Sequence, residues 1–215
     1  KISVDDLKKN IVLLSTYETV STNTENGTEN MRVSLKACNG SVIEPGATWS
    51  FNKCTGNSNL ESLGYKPAGV ISNGKSDIGI GGGICQVSTT LYNAVLRAEL
   101  EVTERHNHSM IVTYVDPSAD AAIAESSGKD FVFVNNTDYP IYIEGHTADK
   151  KITFTIYGVE TRAKNRTVAY ESEVIEKKVP EVDQIIADAS QPIGVISVSS
   201  AHIGYKARLW KIVKE

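Results

Sequence analysis

Residues 78–100 read IGIGGGICQVSTTLYNAVLRAEL. Ile78 to Gly83 form a flexible, glycine-rich run with no periodicity. From Gln86 onward the pattern changes: Val87, Leu91 and Val95, with Ala94 and Ala98 beside them, fall at helical spacing. The spacing predicts a helix over about 86–98 with one apolar stripe, which must be buried against another layer. Cys85 then sits at the helix N-terminus, directly behind a glycine loop.

Outward from this helix the pattern is strand-like. Val102 to Glu104 and Met110 to Val115 read as strands, the second closed by Asp116-Pro117. Phe131 to Asn135 and Ile141 to Glu144 are expected to form a hairpin, and Lys151 to Gly158 a further strand. Upstream, residues 1–16 are expected to begin as a helix, residues 21–30 to be a polar loop, and Met31 to Cys38 to be helical with a stop at Asn39-Gly40. Thr48 to Asn52 reads as a short aromatic strand, and residues 55–64 as loop. After about Ala163 the texture shifts: Val168 to Val179, Ile193 to Ser199 and Tyr205 to Val213 alternate as strands. The expected fold class is α+β, a mixed and mostly antiparallel sheet with a central helix carrying the cysteine at its N-terminus, over residues 1–160. A small all-β module is expected over 161–215.

The 215 residues can hold one large domain, or one domain and a small appendage. A net charge of −4 gives no broad electrostatic attraction to nucleic acid or an anionic membrane. No apolar run approaches the roughly 18–20 residues of a membrane span. The first residue is Lys1 rather than Met, so the chain reads as a processed product, and any signal peptide or anchor would lie upstream. The triple glycine lacks the Gly-Lys-Ser/Thr that would make it a phosphate loop, and no cofactor is expected.

The three cysteines, Cys38, Cys54 and Cys85, are an odd number, so at least one thiol is free unless it pairs between chains. Cys38 and Cys54 flank a turn-rich segment and are candidates for pairing. Cys85 differs. A helix N-terminus offers free N–H groups and the positive end of the macrodipole, which favour a thiolate and can hold an oxyanion. Gly82 and Gly83 would let a substrate backbone approach closely. A cysteine nucleophile needs a base, usually histidine, and His106 and His108 follow the helix. On an extended strand these two share a face. Asp120, Asp130, Glu104 or a backbone carbonyl could hold the imidazole. Gln86 and Ser88 could hold substrate or oxyanion, and Arg105 could fork onto a carboxylate. Other readings stand beside this one: Cys85 as buried packing, Arg105 as an ion-pair partner of Glu104 or Glu101, or Cys85, His106 and His108 as three ligands of a zinc site.

GGGICQVSTTLYNAVLRAELEVTERHNHS (81–109) resembles the signature of the VanW-like family, named after an accessory protein of vancomycin-resistance clusters. The resemblance extends through NGSVIEPGATWSFN (39–52), GYKPAGVISNG (64–74), Asp120-Ala121 and KDFVFVNNTDYPIYI (129–143), and so covers about residues 15–158. Glu99 departs from it, standing where the family generally has a small residue, often glycine. EVIEKKVP (173–180) and GYKARLWKIV (204–213) are similar to the G-five module of cell-surface proteins.

The resemblance implies an extracytoplasmic envelope protein of a Gram-positive bacterium. It implies action on peptidoglycan stem peptides, with acyl transfer of the L,D-transpeptidase type. Residue by residue, Cys85 matches the family cysteine, and Glu104, Arg105, His108 and Ser109 match an E-R-x-x-H-S pattern, which favours His108 over His106 as base. The alternatives are a non-catalytic wall-binding module and a hydrolase that trims stem peptides. Whether the chain works as a monomer is not legible.

Overall fold

A computed structural model describes residues 10–72, 75–181, 186–187, 189–196, 198 and 201–215. In chain order, the described elements are β1 (Ile11–Val20), α1 (Glu25–Cys38), β2 (Val42–Ile43), β3 (Thr48–Ser50), α2 (Phe51–Thr55), β4 (Pro67–Ser72), β5 (Lys75–Ile80) and α3 (Ile84–Arg97). They continue with β6 (Glu101–Glu104), β7 (Val132–Val134), β8 (Ile141–Ala148), β9 (Lys151–Val159), β10 (Thr167–Lys178) and β11 (Gly204–Lys214). The mixture of helices with antiparallel sheets is the α+β class the sequence predicts.

The main sheet has strand order β1-β9-β8-β2, and every described pairing in it is antiparallel. α3 packs on β1 and β9, and α1 packs on β8 and α3. Val87, Leu91 and Val95 of α3 are fully buried, together with Ile143, Ile152, Phe154 and Ile156 of the sheet. Burying one such side chain stabilises the fold by about 1.5–3 kcal/mol. A second sheet, β3-β7-β6, closes the far side with an aromatic cluster in which Phe131 meets Tyr92 of α3 edge-on at 5.6 Å.

Several local expectations are corrected. Of the helix expected over residues 1–16, positions 1–9 lie outside the described residues, and Ile11 to Thr16 belong to strand β1. Its inward residues are Ser15 and Thr19, which bond to Ala94 O at 2.7 Å and Thr90 Oγ1 at 2.7 Å. A strand whose buried positions are polar carries no apolar alternation to read. α1 begins inside the expected loop, because Thr24 caps it by accepting from Gly27 N at 3.3 Å.

The aromatic strand stops at Ser50, whose hydroxyl caps α2 by accepting from Lys53 N. Met110 to Val115 is irregular rather than a strand. Phe131–Asn135 and Ile141–Glu144 do not form a hairpin: β7 and β8 go to different sheets. Of the strand expected at Ile193 to Ser199, Ser197 and Ser199 lie outside the described residues, and the described ones form turn and coil.

β10 and β11 form a long two-stranded antiparallel ribbon. It is tied to the end of α3. Tyr170 Oη donates to Leu96 O at 2.9 Å, and Glu99 Oε1 lies 2.9 Å from Arg166 and 2.6 Å from Lys211.

Candidate functional site

The buried face of α3 on the side of the 119–123 segment is polar. Ser88, Thr89 and Asn93 are almost completely inaccessible, and each is satisfied by that segment. Ser88 Oγ donates to Ala121 O at 2.6 Å, Ala121 N donates to Thr89 Oγ1 at 2.9 Å, and Asn93 Nδ2 donates to Ala119 O at 2.8 Å. Buried polar groups need such partners, so these bonds fix Asp120, within the segment, against the first turns of the helix. Arg105 fastens the other side. Its guanidinium donates to Asp120 O at 2.6 Å, Ser118 O at 3.1 Å and Asp120 Oδ1 at 2.7 Å. Ala122 N then donates to His106 O at 2.8 Å, which aligns residues 105–108 with 120–122.

Asp120 Oδ2 accepts from both the backbone N and ring Nδ1 of His108, each at 2.7 Å. With Nδ1 engaged, Nε2 is the ring nitrogen left for the sulfur of Cys85, which lies within hydrogen-bonding reach of the imidazole. The thiol also donates to Ile123 O at 3.4 Å. Burial opposes protonation of His108, but the Asp120 carboxylate and the Cys85 sulfur outweigh it and hold the imidazole up at about 9. Burial likewise opposes ionisation of Asp120, but His108 and Arg105 outweigh it and keep its carboxyl below the ordinary carboxylate value. The array is a thiol, an imidazole and a carboxylate in series at the N-terminus of a buried helix.

Cys85, His108, Asp120, Arg105 and Ser88 are brought together; other residues singled out in the sequence are not. His106 turns to Glu104, its Nε2 3.0 Å from Oε1, so the two histidines do not work on one face. No three His, Cys, Asp or Glu groups assemble as metal ligands among the described residues. Gln86 is buried and donates to Thr19 at 3.1 Å, on the β1 side of the helix. Asp130 accepts from Ser50 Oγ and Asn52 N and so holds the β3–α2 junction.

Gly82 and Gly83 are needed for packing. A Cβ on Gly82 would lie 2.4 Å from Gly69 O, and one on Gly83, where φ is +100°, would lie 2.9 Å from Gly27 O. Arg105 pairs with Asp120 rather than with Glu104 or Glu101. Sequence reasoning missed Tyr114. It is largely buried, bonds to Thr89 and lies near Cys85, and burial first and the sulfur second push its hydroxyl up. Its stretch reads as a strand, a pattern that gives no sign of an inward tyrosine hydroxyl.

Ser109 lines a cavity of about 330 Å³ with Arg105, His108, His202, Tyr205 and Lys206. The cavity reaches the His108–Asp120–Arg105 cluster from the side of β11, and Cys85 is not among its walls.

The family model described as "VanW like protein" matches residues 26–157. The chain belongs to the VanW-like family. It is 41% identical over 128 residues to the uncharacterized protein YoaR of Bacillus subtilis (strain 168), which covers 60% of this chain and 42% of that protein. It is 30% identical over 139 residues to the vancomycin B-type resistance protein VanW of Enterococcus faecalis (strain ATCC 700802 / V583), covering 62% of this chain and 50% of that one. The chain thus spans half or less of the length of these curated relatives. No solved structure matches it.

Cys85, Arg105, His108, Tyr114 and Asp120 all lie inside the VanW-like match. The β10–β11 ribbon lies beyond it, and no comparison shows the G-five likeness of that segment. Glu99 takes φ +59°, in the left-handed region that favours glycine. The strain is held in place by its ion pairs. Arg166 first, then Lys211, hold its carboxyl down at about 2 against the effect of burial.

Proposed function

We propose that this VanW-like chain works outside the cytoplasm on peptidoglycan stem peptides, by cysteine-dependent acyl transfer of the L,D-transpeptidase type. The observation that carries the reading is the series Cys85–His108–Asp120 at the start of α3. One relative is named for vancomycin B-type resistance.

In the proposed reaction the Cys85 thiolate attacks the peptide carbonyl next to the terminal D-residue. The positive end of α3 stabilises the oxyanion. His108, protonated at neutral pH through Asp120, gives its Nε2 proton to the departing amine, leaving a thioester on Cys85. An amine from a neighbouring stem then attacks the thioester, passes its proton to His108 and expels the thiolate. If water attacks instead, the outcome is hydrolysis. Arg105 is a positioning residue that holds Asp120.

The test is mass spectrometry of stem tetrapeptides incubated with the protein and with Cys85→Ala. Loss of the terminal residue together with a cross-linked dimer, both absent with the variant, is the expected outcome. Trimmed monomer alone would indicate the hydrolase. Peptides that bind but stay unchanged would leave a wall-binding module.

A further inference from the structure

Cys38 and Cys54 lie away from the array around Cys85, and nothing in the proposed reaction uses them. α1 ends at Cys38. The chain turns at Asn39-Gly40, runs through β2 and β3, and α2 brings Cys54 back against the end of α1. Cys54 Sγ donates to Ala37 O at 3.3 Å and lies 3.9 Å from Ser41 Oγ, which itself donates to Cys38 O at 2.9 Å. The two thiols are within hydrogen-bonding reach of each other, and both are free. Their accessibilities differ: Cys38 is fully buried and Cys54 only partly.

We propose that Cys38 and Cys54 are a dithiol that closes to a disulfide on reaction with a disulfide oxidant, either a small molecule or a protein. The order of events follows from exposure. Cys54 attacks one sulfur of the oxidant, forms a mixed disulfide and releases the first thiolate. Cys38 then gives up its proton and attacks the Cys54 sulfur, expelling the second thiolate. Two protein thiols are oxidised and one disulfide is reduced to two thiols. The polarity of the pair agrees. The hydrogen bond from Cys38 brings the Cys54 thiol down to about 7, while burial first, and Cys54 second, push Cys38 well above the ordinary thiol value.

The site is testable with oxidised glutathione on the folded full chain in a Cys85→Ala background, so that only these two thiols react. Trypsin cuts after Lys36 and Lys53 and places the cysteines on separate peptides. Under non-reducing conditions these peptides are expected to be joined, two hydrogens lighter than their sum. Adding Cys38→Ser should leave a stable glutathione adduct on Cys54, and adding Cys54→Ser should leave Cys38 unreacted. A glutathione adduct that persists on Cys54 while Cys38 stays reduced would overturn the proposal. So would two unreacted thiols in the native protein under conditions that oxidise a free dithiol peptide.

Discussion

Asp120 is the residue on which the candidate site turns. Through Oδ2 it holds both the backbone and the ring of His108, and through Oδ1 it holds Arg105. Asp120→Asn should therefore lower the His108 titration from about 9 toward its ordinary 6.5, as read from the imidazole resonances by NMR. A His108 that still titrates near 9 would show that Asp120 does not set its charge. The same groups give a pH window for stability. His108 is raised on folding, so its contribution is complete below about 6.5 and is lost as pH rises through about 9. Glu99 is lowered on folding, so its contribution is present above its ordinary 4.5 and is lost as pH falls toward about 2. Denaturant unfolding against pH should show greatest stability between about 4.5 and 6.5, with loss on both sides. Stability still rising above pH 9 would contradict the His108 part of this.

At the scale of elements, α3 was legible because its apolar stripe is strictly periodic, and Leu91 within it is fully buried. Leu91→Ala should cost about 2–5 kcal/mol in equilibrium unfolding, and a loss below about 1 kcal/mol would mean the stripe is not the core contact described. β1 and the first half of α1 were not legible, because their inward positions are Ser15, Thr19, Gly27 and Asn30. Those residues face the core to make hydrogen bonds or close backbone contacts, and no hydrophobic period marks them. The separation of β7 from β8 was hidden for another reason. Asn135 turns the chain locally, its Nδ2 donating to Ile43 O and Tyr139 O, and a polar turn between two apolar runs reads like a hairpin in either case. The ribbon depends on Glu99. Glu99→Gln should speed amide exchange across β10 and β11 and leave β8 and β9 unchanged. Unchanged exchange in the ribbon would place its anchorage elsewhere, at Tyr170 and at Ser172, whose hydroxyl donates to Pro117 O.

For the molecule as a whole, Cys85, His108 and Asp120 were expected from the sequence to act together, but the framework that holds them was not legible. It depends on Ser88, Thr89 and Asn93 gripping residues 119–121, contacts between distant parts of the chain that no local pattern encodes. The cavity beside β11 was equally hidden, since it is formed by segments nearly a hundred residues apart. The central claim is that Cys85 takes an acyl group from a stem peptide. Intact-protein mass spectrometry after brief incubation with a stem tetrapeptide, quenched in acid, tests it most directly. The predicted result is a protein heavier by the peptide less its terminal residue, with the adduct on Cys85 and none on Cys85→Ala. An unmodified protein across incubation times and pH, or an adduct that survives in Cys85→Ala, would contradict it.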